Sequence, residues 1–550
     1  MELLLVLILA TVVTALLIPV LERRAAALHV MDQPGERKVH DRPVPRVGGI
    51  AMAVGALLPV LIWLPLDRGL VASLVACLVI LLFGVWDDRA SLPPWIKFLG
   101  QGIAVALVVV VAGVTIHSVT LAGRYELPTL VAVPFTFVFL VGVTNALNLA
   151  DGLDGLAGGT TFLSLAAMVA MALGQDLPLV VIGGLALMGA ILGFLRFNSY
   201  PARVFMGDGG SQLLGFTAGV LAVLLTQSPS LPYSAALPLL LLGLPILDTL
   251  TVMAVRIREG RSPFSGDRRH LHHRLLALGF DTFEAVAVIY LLQGQLFLMA
   301  WFMRFQSDVL ILLAYAGFAA LVTLTMFAAE HSGWRWQGVR DQQLGDAIAV
   351  RLPWLKAGRH IPRWTNAIAW ACVAAYLAGV ALTVGSVGRD IAWLAAGLAA
   401  ILLLAGARLQ PLFGGVERIA HGAIFVAMVV AVYLDHVEPN KVPLFTAAKW
   451  VLFPVLAAAV VIRMRTTRER RFEVTTLDVL VVFMALVLPN LPGLRGAPSS
   501  LGLSVVKLIV LLYAVEMLTG HSERVRAWLW RAGAVGLAVV ALRGLLPSLG

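Results

Sequence analysis

The stretch from Asn145 to Gly159 holds two carboxamides, Asn145 and Asn148, two carboxylates, Asp151 and Asp154, and no Lys or Arg. Apolar segments flank it on both sides, so these carboxylates have no local counter-charge. They are costly near a bilayer unless they face water, a cation or a polar ligand. Gly152, Gly155, Gly158 and Gly159 let a backbone without β-carbons come close to a bound molecule. Either Asp taken alone also reads as a helix N-cap; the cluster as a whole reads as a ligand site.

Four other short stretches, and one isolated Asp within a span, carry comparable chemistry. Arg37, Lys38, His40 and Arg46, separated by prolines and followed by Gly48-Gly49, suit a phosphoryl group, although basic loops also arise simply to orient a membrane protein. Asp87-Asp88 is a like-charged pair that a divalent cation or a shared proton would explain, with Lys97 nine residues beyond Asp88. In the segment from Arg196 to Ser211, Asn198 precedes Asp208, which stands among Gly207, Gly209 and Gly210 where a helix begins. Asp248 lies within an apolar run, where a carboxylate is a functional candidate by default. His270, His272 and His273 would ordinarily suggest a transition metal. Without a thiolate, and beside Arg268, Arg269 and Arg274, they suit phosphate better.

The elements that must position these residues are membrane spans. With 60% hydrophobic and 13% charged residues, a 550-residue chain is excluded from the ordinary soluble class. Cys77 and Cys372 both sit in apolar runs, which leaves no disulfide framework and no thiolate metal site. The expected fold is all-α and polytopic, with about eleven spans near 2–20, 48–66, 69–86, 98–114, 129–147, 160–173, 178–195, 211–227, 234–255, 284–302 and 309–327. Alternate loops then carry 22 Lys and Arg on one side and 3 on the other, which predicts a cytoplasmic face for the first set and an external N-terminus. All five polar stretches fall on the basic side.

Together these motifs resemble the polyprenyl-phosphate N-acetylhexosamine-1-phosphate transferases, and within them the WecA/TagO-type branch, over about residues 1–330. The resemblance rests on Arg37-Lys38-Val39-His40 with Pro43 to Gly49, Asp87-Asp88 with Lys97, Asn145 to Ala157, Phe205 to Ser211, Pro245 to Thr249 and His270 to His273. The muramoyl-pentapeptide branch typically carries Thr-Pro-Thr-Met-Gly-Gly in the first loop and three consecutive histidines in the last. Val44-Pro45-Arg46 and the intervening Leu271 depart from both, which argues against a peptidoglycan substrate.

The resemblance implies transfer of an N-acetylhexosamine 1-phosphate, with N-acetylglucosamine the leading sugar, from a UDP-sugar to undecaprenyl phosphate. UMP is released, and the reaction is the first membrane step of a cell-envelope glycan. It implies Mg²⁺, with Mn²⁺ as a substitute, held by Asp208 and Asp87. It makes Asp87, Asp88, Lys97 and Asp208 the catalytic set, with Lys97 on the lipid phosphate. Arg37, Lys38, His40, Arg46, Asn145, Asn148, Asp151, Asp154, Asn198, Asp248, His270, His272 and His273 would contact substrate. The implied setting is the bacterial inner membrane, with an active site on the cytoplasmic face, membrane lipids as surroundings, no nucleic-acid polymer as partner, and room for a homodimer. Direct attack by the lipid phosphate and a two-step route through an aspartyl-phosphate both remain open.

Residues 331–364 read as a basic linker and 365–550 as an additional membrane domain of about seven spans, outside the resemblance. Its only notable acidic group, Asp435, His436 and Glu438, reads as an ordinary wet external loop. Two rival classes stand beside the transferase. A lipid-glycan transporter or flippase would place ionisable residues at mid-bilayer, where the first half has only Asp248. An inactive envelope-assembly scaffold would have less reason to keep complete Asp, Asn and His sets.

Overall fold

The computed structural model describes residues 2–33, 42–121, 123–262, 269–336, 361–385, 387–406, 416–437, 442–466, 475–487, 491, 501–519 and 523–545. Arg37, Lys38 and His40 lie outside them, as does Glu438. The helices fall into two compact units. Everything described up to Trp336 belongs to the first, and the helices from Ile361 onward, apart from Thr475–Leu480, belong to the second.

The first unit contains α1 (Glu2–Arg24), α2 (Gly48–Trp63), α3 (Arg68–Ala90), α4 (Pro94–Ala106), α5 (Thr129–Ala150), α6 (Leu156–Ala172), α7 (Pro178–Asn198), α8 (Gly207–Thr226), α9 (Pro238–Leu241), α10 (Gly243–Arg258), α11 (Leu271–Ala277), α12 (Thr282–Met303) and α13 (Asp308–His331). After α4 the chain continues through one wide π turn, Leu107–Val111. Two small antiparallel hairpins complete it: β1 (Met31–Asp32) with β2 (Val44–Pro45), and β3 (Ser118–Thr120) with β4 (Arg124–Glu126). Across the described residues of both units, eleven helices are long and apolar enough to cross a membrane, and α2 and α6 are shorter apolar helices. The protein is therefore all-α and polytopic, as the hydrophobic pattern predicts.

Close helix contact comes from small residues, because in lipid there is no apolar driving force between helices and packing must bring backbones together. On α7, Gly189 and Gly193 face α1: a β-carbon would lie 2.3 Å from the Leu7 carbonyl oxygen at the first and 2.5 Å from that of Thr11 at the second. Helices α6 and α8 are the buried centre, α6 over all its residues. A core of Ile80 on α3, Val105 on α4, Leu140 on α5 and Phe216 on α8 fixes the helices that carry the polar stretches.

One element differs from the sequence expectation. The span expected over 234–255 is broken at Leu242 into α9 and α10. Pro245 has no N–H to give the Leu241 carbonyl one turn earlier. The Gln293 side chain of α12 fills that place, donating to Leu241 O at 2.9 Å, and Tyr315 of α13 donates to Gly243 O at 2.8 Å. The break leaves α10 free to direct Asp248 at the histidine segment.

The second unit contains α14 (Ile361–Thr383), α15 (Arg389–Gly406), α16 (Val416–Val437), α17 (Pro443–Thr466), residues 481–487 of α18 (Thr476–Val487), α19 (Leu501–Thr519) and α20 (Glu523–Leu545).

Candidate active site

The site is built where α2, α3 and α8 meet, and glycines make that meeting possible. A β-carbon on Gly84 of α3 would stand 2.4 Å from the Gly209 α-carbon of α8, and one on Gly49 of α2 would stand 2.4 Å from the Gly210 nitrogen. The turn before α8 is then stitched to the first loop through the backbone: Phe205 N donates to Pro45 O, Gly48 N to Phe205 O and Gly49 N to Met206 O, at 2.9 to 3.0 Å. Gly207 adopts φ +71°, and a side chain there would meet Asp88 Oδ2 at 2.3 Å. Only glycine satisfies both demands.

These contacts bring Asp87, Asp88, Lys97, Asn148 and Asp208 into one group. Asp88, its side chain 2% exposed, accepts the backbone N–H groups of Asp208 and Gly209 at 3.0 and 3.2 Å. Arg46 bridges Asp88 at 3.2 Å and Asp32 of β1 at 2.5 Å. Lys97, at the start of α4, forms an ion pair with Asp87 and reaches Asp208 Oδ2 at 3.4 Å. Asn148, at the end of α5, donates to Asp208 Oδ1 at 3.0 Å and to Ser211 Oγ at 2.8 Å. Asp208 and Lys97 are each about one-third exposed, so they form the open part of the group, whereas Asp87 and Asp88 are its buried floor.

Charge is concentrated here. At Asp151, just past the end of α5, burial and then the neighbouring charges of Asp208, Asp88 and Asp154 push the carboxyl up to about 7, with Arg46 opposing. Burial alone would lower the Arg46 guanidinium, but the carboxylates of Asp32, Asp88 and Asp208 raise it above its ordinary value.

The histidine segment joins the same site through Gly152. His272 Nε2 lies where a β-carbon on Gly152 would be 2.2 Å away. His272 is buried, and that burial, with His273 and His270 nearby, lowers its pKa to about 3 against the pull of Asp248. Its imidazole is therefore neutral at ordinary pH, while the His273 ring packs 4.2 Å from it. Asp248 accepts Leu271 N at 2.6 Å and pairs with His270 Nδ1 at 2.8 Å, so both its oxygens hold the start of α11 in place.

Three of the sequence candidates serve the scaffold of the site. Asn145 exchanges hydrogen bonds with Gln101, which also donates to Gln212, in a buried amide network beneath Asn148. Asn198 accepts Gly155 N at 2.9 Å and donates to Val204 O at 2.9 Å, tying the 151–155 loop to the turn before α8. Asp154 accepts Ala202 N at 2.8 Å. Sequence reasoning missed Asp32, Gln101, Gln212 and Ser211. A lone Asp in a basic loop and amides inside apolar helices give no spacing signal; only their partners identify them.

Among the described residues no group of three or more His, Cys, Asp and Glu could hold a metal ion. Mg²⁺ does not require one, since it is commonly bound by one or two carboxylates together with substrate phosphates and water. Asp87 and Asp208, two carboxylates linked by a single ammonium, form an oxygen donor set that fits such an ion.

The fold and this polar group define a multi-pass membrane protein with a carboxylate-rich site at the ends of its helices. Residues 70–226 match the profile of glycosyl transferase family 4. The chain is 37% identical over 287 residues to the probable undecaprenyl-phosphate N-acetylglucosaminyl 1-phosphate transferase of Bacillus subtilis, covering 51% of this chain and 80% of that protein. It is 37% identical over 294 residues to the decaprenyl-phosphate N-acetylglucosaminephosphotransferase of Mycolicibacterium smegmatis, covering 48% and 72%. It is 33% identical over 281 residues to the undecaprenyl-phosphate alpha-N-acetylglucosaminyl 1-phosphate transferase of Escherichia coli K12, covering 48% and 74%. The chain belongs to glycosyl transferase family 4.

Proposed function

We propose that the first unit transfers N-acetylglucosamine 1-phosphate from UDP-N-acetylglucosamine to a polyprenyl phosphate, undecaprenyl phosphate in the leading case, in cell-envelope glycan synthesis. The observation that carries this reading is the convergence of Asp208, Asn148, Lys97 and Asp88, from four helices, on one partly open polar group at helix ends. A phosphoryl-transfer site needs little covalent chemistry from the protein; it needs positioning and charge neutralisation. The names of the relatives agree with it.

In the proposed reaction an oxygen of the lipid phosphate attacks the β-phosphorus of the sugar nucleotide. A new phosphoanhydride bond forms, the bond to the bridging oxygen of the α-phosphate breaks, and UMP leaves with that oxygen and its electron pair. Lys97 steers the lipid phosphate, and Arg46 contributes positive charge to the same pocket. Asn148 and Asp88 hold Asp208 in orientation. Neutral His272 and the adjacent His273 offer donors to the sugar nucleotide. Mg²⁺, held by Asp208 and Asp87, would neutralise charge on the diphosphate. The excess of Lys and Arg in the loops beside this site supports a cytoplasmic-facing site in the inner membrane.

The test is transfer of label. With UDP-N-acetylglucosamine labelled at the β-phosphate, the label moves into the lipid extract only when polyprenyl phosphate is present. Label released as free phosphate or sugar phosphate without entering lipid contradicts the reading. UMP formed before lipid is added, with label retained on protein, would instead select the aspartyl-phosphate route.

A further inference from the structure

The second unit buries three charged side chains for which the transfer reaction has no use. Asp435 lies near the end of α16, inside the helix, where the sequence alone suggests a wet loop. Its Oδ1 pairs with Lys449 of α17, its Oδ2 pairs with Lys507 of α19 at 2.7 Å, and Tyr376 of α14 donates to Oδ2 at 3.3 Å. The three charged side chains are 1%, 11% and 12% exposed. Ionisable residues within a membrane bundle are expensive, and such clusters commonly mark a ligand path or site.

Among the described residues one carboxylate faces two ammonium groups, so this trio carries an excess positive charge. Each ammonium also has three N–H donors. Among the described residues each donates to one acceptor, a different oxygen of Asp435, and otherwise faces an aromatic ring: Lys449 is 5.1 Å from the Phe445 centroid and Lys507 is 5.8 Å from that of Phe453. Asp435 holds both ammonium groups on one carboxylate, and both lie in the second turn of their helices. One turn nearer the start of α19, Ser504 pairs with His436 Nδ1 at 2.9 Å. Unused donors and unbalanced positive charge, fixed side by side, suit an anion with several acceptor oxygens, and in a bilayer the abundant anions of that kind are phosphate esters.

We propose that Lys449 and Lys507, held together by Asp435, form a phosphate-binding site in the second unit, separate from the transferase site. Its ligand is a phosphate group, carried by a lipid headgroup or present as the free ion. The proposal does not depend on the transferase reading.

The full-length protein is tested in detergent with two probes. Inorganic phosphate is titrated at constant ionic strength while thermal unfolding is followed, since a ligand that binds only the folded state raises the midpoint. Dioleoylphosphatidic acid is added in parallel and its bound copies are counted by native mass spectrometry. Saturable binding of inorganic phosphate identifies the free ion as ligand, and retention of phosphatidic acid alone identifies a headgroup. Lys507→Met should weaken whichever binding is seen by about tenfold, and Asp435→Asn, which raises the positive charge, should tighten it by about threefold. Lys449→Met replaces the first variant if that one does not fold. An ion pair that merely pins helices predicts instead that both variants unfold more easily and neither changes affinity. The proposal is overturned if neither probe binds, or if affinities of both variants stay within about twofold of wild type.

Discussion

The Asp88 carboxylate accepts the backbone N–H of Asp208 at 3.0 Å, so the end of α3 caps the start of α8. The Asp208 side chain is thereby left to face Asn148 and Lys97. Asp88→Asn puts an amide where two N–H donors need acceptors. It should cost about 1–3 kcal/mol of stability and lower turnover by roughly 10–100-fold through misplacement of Asp208. Thermal unfolding and UMP release, measured on the same preparation, check both.

Gly84 and Gly49 let three helices touch through their backbones. Gly84→Ala puts a methyl group 2.4 Å from the Gly209 α-carbon, a backbone atom that cannot swing aside. Overpacking of this kind costs about 1–3 kcal/mol and moves Asp87 and Asp88 relative to Asp208. Gly142→Ala on α5, where nothing lies within 4 Å of the added carbon, should be silent in both stability and turnover.

The Asp151 carboxyl, pushed up to about 7 by burial and by Asp208, Asp88 and Asp154, implies a pH dependence of stability. Its folded pKa lies above its unfolded one, so the folded state holds more protons between those values and stability falls as pH rises through that window. The penalty is absent below the unfolded value and complete above about 7. Asp151→Asn should therefore melt above wild type at pH 8 and equal to it near pH 4, in buffer containing a chelator. The same variant should lose activity. Equal melting at both pH values would count against the crowding of charge.

Arg274 on α11 forms a two-pronged pair with Glu330 at the end of α13, at 2.7 and 3.0 Å. It steadies the short helix that carries His272 and His273. An exposed pair contributes at most about 1 kcal/mol, so Glu330→Ala should leave the fold intact. It should raise KM for the sugar nucleotide by about threefold with kcat little changed, as expected when binding alone is weakened. Steady-state kinetics separate the two.

The polar stretches were legible because charged and amide residues at the ends of apolar runs have few structural uses. Asp87, Asp88, Asn148, Asp151 and Asp208 do meet in space. What the sequence hid is pairing. Asp248 reads as a deep carboxylate, yet it holds the start of α11, because the break at Leu242 turns α10 toward the histidines. Asp435 reads as wet, yet two lysines from other helices enclose it. Hydrophobic periodicity locates helices; it carries no information about which side chains from remote helices share a hydrogen bond.

In the proposed reaction Asp208 stands at the centre of the phosphoryl-transfer site. The most direct measurement compares UMP release by wild type and Asp208→Asn, with UDP-N-acetylglucosamine, undecaprenyl phosphate and Mg²⁺, at matched thermal stability. Wild type should release UMP only in the presence of lipid and metal, and the variant should fall by about 10³-fold or more while remaining folded. Undiminished release by Asp208→Asn, or none by wild type with any UDP-N-acetylhexosamine, would contradict the account.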